Sequence, residues 1–355
     1  MTRELQSPYL FDCWYVAAWA NELRPGEHMR RVLLDRSVLL MRGLKGDTAA
    51  IGNVCPHRFA SLSEGRFERD LVECPYHGLR FDMSGQCVHN PHGDGRITER
   101  ARVASYPLVE RHGALWIWLG DIMAADPARI PDLCLLETTD PTDRAPGYLL
   151  TKANYQLLSD NILDLSHADF IHPATLGTGG EIAGTKARAR LEGDIVTVEW
   201  AFTGKGMAME RSLRDGAEVD SRFEVTWYPA GVMILRNDVG PVGEGEPAAK
   251  RAGVHIMTPE TSRTTHYFFE NADAGRRKKL ALALDVFERE DGVVLEEVQR
   301  NMGDSDFWDM EPLILSSDSG AILARRVLQR LIRRERARSA TASHPPQKAR
   351  LSQPF

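Results

Sequence analysis

Two short pairs of potential metal ligands are the most informative feature of this sequence. Cys55 and His57 form the first pair, and Cys74 and His77 form the second, with sixteen residues between His57 and Cys74. Two thiolates and two imidazoles in this order suit a [2Fe–2S] cluster in which one iron takes both cysteines and the other takes both histidines. Because imidazole is neutral, such a cluster has a higher reduction potential than an all-cysteine cluster. The spacing therefore predicts an electron-transfer centre.

A structural zinc ion is the alternative for these four residues. Zinc sites made of two cysteines and two histidines usually have a cysteine pair followed by a histidine pair. Here each pair contains one cysteine and one histidine, which is how a two-iron cluster divides its ligands. Pro and Gly residues surround both pairs, as tight ligand-bearing loops require. We therefore predict a Rieske-type [2Fe–2S] cluster.

A second potential metal site lies in the segment DNILDLSHADFIH, residues 160–172, which contains His167 and His172. Two histidines and one carboxylate form the facial triad of non-haem Fe(II) oxygenases, which leaves coordination positions open for O2. On an ideal helix, a spacing of five residues places the two rings about 140° apart. We therefore expect the helix to end or bulge between them, although residues 168–170 contain neither Pro nor Gly.

The third ligand of this second site must be a carboxylate far away in the sequence. A helical pattern over residues 276–302 carries several acidic candidates, most of which we expect on a solvated face: Asp285, Glu288, Glu290, Asp291, Glu296 and Glu297. Asp291 is predicted to lie against the apolar Val293 and Val294 on the inward side of the helix. Helix geometry alone does not select one of these carboxylates.

Short strand-like runs predict an all-β domain over residues 1–120. These runs cover residues 31–40, 49–54 and 115–119, and glycine-containing turns separate them. Residues 121–132 are rich in Pro and Asp and are predicted to form a linker at the start of the next domain.

Residues 121–334 mix helical and strand patterns and predict a second domain of the α+β class. The helical patterns cover 156–170, 276–302 and 319–334. The strand patterns cover 195–202, 222–228, 232–237, 254–258 and 264–270. Residues 335–355 are rich in Arg, Ser and Pro, and they are predicted to form a basic, disordered tail.

The composition is that of a soluble globular protein. The 355 residues are 43% hydrophobic and 26% charged, and the net charge of −6 gives no reason to expect nucleic acid as a partner. Five cysteines, two of them predicted ligands, argue against a disulfide framework. The N-terminal segment contains acidic residues where a signal peptide would be apolar. No apolar run approaches the ~20 residues of a membrane-spanning helix, so we expect a cytoplasmic protein that does not associate with a membrane.

Several motifs together resemble those of a known enzyme family. They are WYVAA, CPHRFASLSEG, CPYHGLRFDMSGQCVHNPHG, DNILDLSHADFIH, HIMTPET and HYFF, and they extend from about Trp14 to about residue 325. The chain resembles the oxygenase components of Rieske non-haem iron oxygenases, in the branch of the vanillate and dicamba O-demethylases. The resemblance implies a Rieske [2Fe–2S] domain followed by a helix-grip catalytic domain, in which helices pack on an antiparallel sheet. It also implies a head-to-tail homotrimer.

The resemblance implies a role for each residue of the two metal sites. Asp291 matches the carboxylate ligand of the iron, because the family places it in an E-D pair like Glu290–Asp291. Asp164 matches an aspartate that links the cluster of one subunit to the iron of its neighbour, and we expect its carboxylate to accept N–H bonds from both imidazoles. Asn161 matches an asparagine beside the iron. The remaining ligands implied are Cys55, Cys74, His57 and His77 for the cluster and His167 and His172 for the iron.

Substrate contacts are implied at three positions. His255 matches a histidine that touches the substrate in the dicamba enzyme; the alternative is a strand histidine whose partner is a neighbouring side chain. Asn237 aligns with a pocket position. Leu282 aligns with a substrate-contacting tryptophan, and this departure puts dicamba itself in doubt. His89 and His92 are predicted to buttress the cluster loop rather than to bind metal.

The implied activity is that of an oxygenase component, which uses O2 and electrons from a separate reductase or ferredoxin. The implied reaction is O-demethylation of a methoxylated aromatic acid, giving a phenol and formaldehyde. Ring hydroxylation, methyl hydroxylation or N-demethylation of another aromatic compound is the alternative. A protein of a different class, a simple Rieske electron carrier, would contain only the iron of the cluster, whereas the oxygenase also contains a mononuclear iron.

Overall fold

The computed structural model describes residues 8–137, 144–209, 216–272 and 276–343. Residues 1–7 of the predicted N-terminal domain and residues 344–355 of the predicted basic tail lie outside the described residues. Within the described ranges, no helix combines the length and the apolar character needed to cross a lipid bilayer.

Short antiparallel strands make up the N-terminal part, as the turn-rich sequence predicts. They are β1 (Trp14–Trp19), β2 (His28–Leu33), β3 (Arg36–Arg42), β4 (Thr48–Gly52), β5 (Arg66–Glu68), β6 (Leu71–Glu73), β7 (Arg80–Asp82), β8 (Cys87–His89), β9 (Ser105–Tyr106), β10 (Leu108–Arg111) and β11 (Ala114–Trp118). Their hydrogen bonds form three sheets with the strand orders β1-β11-β10, β2-β3-β4-β9 and β5-β6-β7-β8.

The predicted strand over residues 31–40 is a hairpin of two strands. β2 and β3 are joined at Leu34 and Asp35, whose φ values of 52° and 61° are both positive. Two consecutive residues with positive φ form a turn whose twist matches that of the flanking strands. Asp35, Arg36 and Ser37 interrupt the apolar residues at this point, but Leu34 is not a typical turn residue, so the sequence predicted a single strand.

A small apolar core supports the loops that carry the two ligand pairs. Leu39, Ile51 and Phe81 are fully buried, and they belong to the same cluster of packed side chains as Cys55 and Cys74. The two cysteines are therefore held by the packing of the strands below them.

The C-terminal part is built on one antiparallel sheet. Its strands are β12 (Gly147–Thr151), β13 (Arg188–Glu192), β14 (Ile195–Gly204), β15 (Val219–Tyr228), β16 (Val232–Pro241), β17 (Ala249–Thr261) and β18 (Thr264–Asn271). The strand order is β12-β18-β17-β16-β15-β14-β13. The five predicted strands are confirmed, and the structure adds β12 and β13 at the two edges. In β15, buried residues alternate with more exposed ones, so one face of this strand points into the core.

Helices pack on the inner face of this sheet, as the predicted α+β class requires. They are α1 (Tyr155–Leu163), α2 (Ala168–Ile171), α3 (Glu181–Gly184), α4 (Arg276–Asp285), α5 (Gly292–Met302) and α6 (Ser319–Ser343). α1 contacts β17 and α6, and α6 also contacts β13 and β14. This antiparallel sheet gripped by helices confirms the predicted helix-grip fold.

The predicted helices differ from the observed ones in continuity and length. The pattern over 276–302 is interrupted, because the π-helical segment Val286–Asp291 lies between α4 and α5. α6 continues past its predicted end at Arg334 to Ser343. The Arg- and Ala-rich sequence after Arg334 favours a helix and contains no Gly or Pro before Ser343.

The two parts of the chain share one large core. Tyr15 and Leu115 from the N-terminal strands belong to the same buried cluster as Leu158 and Trp200 from the C-terminal part. A hydrogen bond also crosses between them, since the Thr258 hydroxyl donates to the carbonyl oxygen of Val16 at 2.8 Å. The N-terminal sheets are therefore anchored directly on the large sheet.

Candidate metal centres

The two loops with the Cys and His pairs have matching backbones. In the first, the N–H of Phe59 donates to the carbonyl of Cys55 (3.0 Å), and in the second the N–H of Gly78 donates to the carbonyl of Cys74 (3.0 Å). Phe59 and Gly78 both have positive φ, 61° and 70°. Such a conformation is easy for Gly but costly for Phe, and strain of this kind is typical of functional loops. Each loop is therefore a tight turn that presents its ligands in the same way.

The side chains of these loops fit a two-iron cluster. Cys55 and Cys74 are 1% and 2% exposed, whereas His57 lies at the surface, with its ring centroid 4.5 Å from that of His77. The Nδ1 atom of His77 is buried and has no hydrogen-bond partner among the described residues, as expected for a nitrogen reserved for a metal. A zinc ion would draw all four donor atoms to one point. These four do not form such a group among the described residues, which favours the cluster over zinc.

The two histidines after the second loop contact it in different ways, His92 through its ring and His89 through its backbone. The Nε2 atom of His92 lies 2.8 Å from the backbone carbonyl oxygen of His77. The backbone carbonyl of His89 lies 3.4 Å from the thiol of Cys87, which is buried at the edge of the same small core.

The segment with His167 and His172 is broken in two places. α1 ends at Leu163, Asp164 has non-helical dihedral angles (φ −129°, ψ 87°), and the residues from Leu165 to His167 form a 3-10 turn before α2. α2 ends at Ile171, so His172 also leaves the helical conformation (φ −116°, ψ 42°). The expected end of the helix is thus present, and Pro173 was its sequence signal, since Pro disfavours a helical conformation in the residue before it.

The two histidines converge on Asp291. The Nε2 atom of His172 lies 3.1 Å from Asp291 Oδ1, and the Nε2 atom of His167 lies 3.5 Å from the same oxygen. The donor atoms of the three residues all lie within 4.8 Å of one another, and no other group of His, Cys, Asp or Glu in the described ranges does so. Two imidazoles and one carboxylate are the donor set of a mononuclear non-haem iron.

The outer nitrogens of both rings are hydrogen-bonded in a way that suits metal binding. The Nδ1 of His167 donates to the backbone carbonyl oxygen of Asp164 at 2.5 Å. The Nδ1 of His172 lies 2.5 Å from Glu290 Oε2. These acceptors favour the proton on Nδ1 and leave both Nε2 lone pairs directed at the space beside Asp291. The residues therefore fit the iron that the donor set implies.

Asp291 is positioned by the π-helical segment rather than by the valines that follow it. Its side chain is 7% exposed, whereas Val293 and Val294 are 58% and 42% exposed, so the predicted inward contact with them is wrong. The wider π-helical turn rotates α5 relative to a continuous helix, which is why the apolar pattern gave the wrong face. Asn161 donates to Asp291 Oδ1 from its amide nitrogen at 3.0 Å.

Glu290 has a contact that the sequence did not predict. Its carboxylate lies against His172 Nδ1, and it also accepts a hydrogen bond from the hydroxyl of Thr175 at 3.4 Å. Burial alone would lower the pKa of His172, but the carboxylates of Asp291 and Glu290 outweigh burial and raise the pKa above its ordinary value. The adjacency of two acids in the E-D pair was the only sequence signal for this arrangement.

Asp164 contacts His167 differently from the prediction. Within the chain, the partner of the His167 ring is the backbone carbonyl of Asp164 and not its carboxylate. One carboxylate oxygen, Oδ1, accepts the backbone N–H of Ser166 at 3.0 Å and thereby caps the 3-10 turn. The other oxygen makes no hydrogen bond to any of the described residues, and Asp164 is half-buried.

The three predicted substrate residues have different surroundings. The Nδ1 of His255 lies 2.7 Å from the Tyr267 hydroxyl, and burial lowers the pKa of His255 to about 4 although Asp291 opposes this. Asn237 is 7% exposed, and its Oδ1 has no hydrogen-bond partner among the described residues. Its amide nitrogen lies 3.9 Å from the sulfur of Met207. Leu282 is 40% exposed on α4, so its predicted substrate contact stays a prediction.

Aromatic side chains join His255 to the metal-binding residues. The ring of Phe287 lies 5.6 Å from that of His255 and 5.5 Å from that of Tyr267. A cavity of about 10 Å³ lies between these aromatic rings and the inner helices, where Asn161 and Asp291 line it. On this side, the aromatic rings of Phe287 and Tyr267 contribute apolar surface beside the three converging ligands, and His255, Asn161 and the Tyr267 hydroxyl contribute polar groups.

Comparison with known families matches both parts of the chain. The family described as “Rieske [2Fe-2S] domain” matches residues 13–107. The family described as “Vanillate O-demethylase oxygenase C-terminal domain” matches residues 151–334. The first match contains both Cys and His pairs, and the second contains all three converging residues.

Three curated relatives match nearly the whole chain. The dicamba O-demethylase oxygenase component of Stenotrophomonas maltophilia is 36% identical over 93% of this chain and 99% of its own length. The chloroacetanilide N-alkylformylase oxygenase component of Rhizorhabdus wittichii is 34% identical over 92% of this chain and 97% of its own length. The vanillate O-demethylase oxygenase subunit of a Pseudomonas species is 31% identical over 87% of this chain and 98% of its own length.

Solved structures of dicamba monooxygenase also match nearly the whole chain. Dicamba monooxygenase bound to dicamba superposes with a TM-score of 0.82 and 33% identity, over 93% of this chain and 99% of that chain. Dicamba monooxygenase with non-haem iron and dicamba superposes over the same shares of the two chains, with a TM-score of 0.78 and 32% identity. The two-part architecture described above is therefore that of a structurally characterised oxygenase.

Proposed function

The chain belongs to the family of Rieske-type non-haem iron oxygenase components that includes the dicamba and vanillate O-demethylases, and we propose that it demethylates a methoxylated aromatic acid. It is the oxygenase component of a monooxygenase, with a [2Fe–2S] cluster and a mononuclear iron, and a separate reductase or ferredoxin supplies its electrons. The observation that carries the proposal is the convergence of His167, His172 and Asp291 in a chain that also holds two Cys and His loops.

The proposed reaction converts a methoxyarene to a phenol and formaldehyde. The bound iron would supply the activation of O2. One oxygen atom inserts into a C–H bond of the methoxy group and gives a hemiacetal. The hemiacetal loses formaldehyde and leaves the phenol. The second oxygen atom leaves as water after it takes up two electrons, which the reductase supplies, and two protons.

We assign the cluster to the two matching loops. Cys55 and Cys74 would bind one iron from the buried side, and His57 and His77 would bind the other iron nearer the surface. The exposed position of His57 and the half-buried position of His77 support this assignment, because an electron-transfer group must approach its redox partners closely.

We assign the mononuclear iron to His167, His172 and Asp291. Asp291 supplies the negative charge that two neutral imidazoles lack. Asn161 restrains the Asp291 carboxylate, because its amide donates to the same oxygen that faces both histidines. The Nδ1 contacts of the two histidines keep their Nε2 lone pairs directed inward.

We propose that Asp164 connects neighbouring subunits in a homotrimer. One of its carboxylate oxygens is without a partner in the described residues, and its backbone carbonyl already holds His167. A histidine of the exposed cluster loop on a second copy of the chain could donate an N–H to that oxygen. The cluster-loop histidine of one subunit and His167 of its neighbour would then be linked through Asp164, which suits electron transfer between subunits.

We propose that the substrate lies between the iron ligands and the sheet. His255 is buried and neutral, so it can donate or accept a hydrogen bond without bringing a charge into the site. The buried Oδ1 of Asn237, which has no hydrogen-bond partner among the described residues, would be a second polar contact, because burial without a partner is costly unless a ligand satisfies it. Phe287 and Tyr267 suit an aromatic ring. Leu282 is retained as a predicted contact, in place of the larger aromatic residue implied for the dicamba enzyme.

The chloroacetanilide relative supports the alternative reaction, oxidation at a group other than a methoxy carbon. The same iron chemistry would then hydroxylate a ring or a methyl group, or remove an N-linked carbon. We also retain the predicted division into a Rieske domain over 1–120 and a catalytic domain from 121. The predicted tail over 335–355 is corrected at its start, because α6 continues to Ser343 and Glu335 is buried.

Turnover with a reductase and a panel of methoxybenzoates tests the proposal. We expect stoichiometric formaldehyde and phenol from at least one compound, and none after Asp291→Ala. N-methyl and methyl-substituted benzoates are the comparison substrates. Hydroxylated products without formaldehyde from the methoxy compounds, together with turnover of the methyl compounds, would favour the alternative.

A further inference from the structure

His172 is held at both ring nitrogens by two consecutive acidic residues. Glu290 Oε2 lies 2.5 Å from Nδ1, and Asp291 Oδ1 lies 3.1 Å from Nε2. The His172 side chain is 1% exposed and the Glu290 side chain is 29% exposed, so the ring is buried and the carboxylate at its Nδ1 is half-buried. His167, in contrast, has only a neutral backbone carbonyl at its Nδ1. The two histidines of the iron site are therefore held by groups of different charge.

The π-helical segment is what presents both acids to one ring. Adjacent residues of a regular α-helix point in different directions and do not face the same group. Val286–Asp291 forms a wider turn, and single turns of this kind occur frequently at functional sites. Glu290 and Asp291 are its last two residues, and their carboxylates reach opposite edges of the same imidazole.

The Glu290 carboxylate also ties the π-helical segment to the turn after His172. The Thr175 hydroxyl donates to Glu290 Oε2, and the backbone N–H groups of Thr175 and Gly177 donate to the carbonyl oxygen of His172 at 3.1 and 2.8 Å. The ring and the backbone of His172 are thus restrained together. Glu290 lies at the far nitrogen and is not one of the three converging donors.

We propose that Glu290 is a positioning residue that fixes the Nδ1–H form of His172 and strengthens its Nε2 as a metal donor. The inference rests on the proposed iron site. A carboxylate that accepts the Nδ1–H bond of a metal-binding histidine orients the ring and raises its basicity, and removing such a group typically lowers metal affinity by about 10- to 100-fold. The hydrogen bond is charge-assisted, which makes it stronger than the carbonyl contact of His167.

Cobalt binding measures this effect without turnover. The full-length protein keeps its cluster while a chelator removes the mononuclear metal, and equilibrium dialysis against Co²⁺ then counts cobalt separately from cluster iron. We expect Glu290→Ala to bind Co²⁺ about 10- to 100-fold more weakly than the wild type. Glu290→Gln keeps an acceptor and loses the charge, so we expect an intermediate loss of about 3- to 10-fold. The EPR signal of bound high-spin Co²⁺ should also shift in both variants.

Glu288→Gln is the matched control, because Glu288 lies in the same segment, is exposed and makes no hydrogen bond or ion pair within the described ranges. It should leave cobalt affinity and EPR unchanged. Equal Co²⁺ affinity of the wild type and both Glu290 variants would overturn the inference. If Glu290→Ala does not fold, equal Co²⁺ affinity of the wild type and Glu290→Gln would overturn it. Complete loss of binding in Glu290→Gln would instead make Glu290 a ligand. A wild type that binds no Co²⁺, or binds it equally after Asp291→Ala, would contradict the proposed iron site itself.

Discussion

Asn161 and Asp291, 130 residues apart in the sequence, are joined by a hydrogen bond of 3.0 Å from the asparagine amide to the aspartate Oδ1. That oxygen is also the one that faces the Nε2 atoms of His167 and His172. The amide therefore restrains the only acidic member of the triad in the direction of the two imidazoles. It reaches Asp291 from α1, two residues before that helix ends.

Replacing Asn161 by Ala should loosen the mononuclear site and leave the cluster intact. Loss of a hydrogen bond to a ligating carboxylate is expected to weaken metal binding by about 10-fold or more. Co²⁺ dialysis and the visible spectrum of the cluster measure the two effects separately. Gln156→Ala, on the same helix but bonded to Arg325, is the control. An unchanged Co²⁺ affinity would show that Asn161 does not restrain the ligand.

Asp291→Ala should empty the mononuclear site. This carboxylate lies beside the two histidines, and its loss removes the negative charge that balances the positive charge of the metal. Iron per chain should fall from three to two, since the cluster keeps its two irons. Glu288→Ala and Asp285→Ala should change nothing, because Glu288 is exposed and Asp285 is 52% exposed in an ion pair with Arg289. Loss of one iron from the Asp285 variant alone would make Asp285 the ligand.

Asp164→Asn should slow electron transfer between the two metal sites without removing either metal. The amide oxygen can still cap the 3-10 turn at Ser166, and the backbone carbonyl still holds His167, so the local structure should persist. We expect single-turnover electron transfer to slow by about 10- to 100-fold or more. Rapid reoxidation of the reduced cluster in the variant would rule out Asp164 as the connecting residue. A fully active monomer would count against the proposed trimer.

Asp169→Ala should open the loop that follows the second histidine. The Asp169 carboxylate accepts backbone N–H bonds from Thr178, Gly179 and Ala183, and a fourth bond from the Thr178 hydroxyl. Losing an acceptor of this kind typically costs about 1–2 kcal/mol. Limited proteolysis should therefore cut residues 177–184 faster in the variant, whereas Asp169→Asn, which keeps an acceptor, should be less affected. Equal cleavage rates in all three proteins would contradict this role.

Substituting His255 by Asn should make the stability of the protein less sensitive to acid. Burial lowers the pKa of His255 to about 4 in the fold, whereas the unfolded chain takes up the proton near the ordinary pKa of about 6.5. A lowered histidine pKa therefore gives stability that is present above about pH 6.5 and is lost as the pH falls towards 4. At pH 5 the loss is about 2 kcal/mol.

Urea unfolding at pH 7.5 and at pH 5 measures this difference. The wild type should lose about 2 kcal/mol more than His255→Asn between the two pH values. Other buried histidines contribute equally to both proteins and cancel in the comparison. If the two proteins lose the same stability, His255 is not held neutral by burial.

The sequence by itself determined the features that depend on neighbouring residues. The Cys55 and His57 pair and the Cys74 and His77 pair each lie in one tight turn, so their spacing sufficed to predict the cluster. Strand alternation likewise sufficed for the middle of the large sheet, because burial of one face imposes a period of two. Strand alternation failed at Leu34 and Asp35, where a turn with an untypical first residue divides the predicted strand in two.

Only the tertiary structure decided how the mononuclear site is assembled. Helix geometry alone did not select one of the six acidic residues of the helical pattern, and the π-helical turn Val286–Asp291 changed which of them faces inward. Asp291 then meets His172 across 119 positions of the chain, and Glu290 meets the other nitrogen of the same ring. Contacts over such separations depend on how α1 and α5 pack on the sheet, and no local pattern encodes that packing.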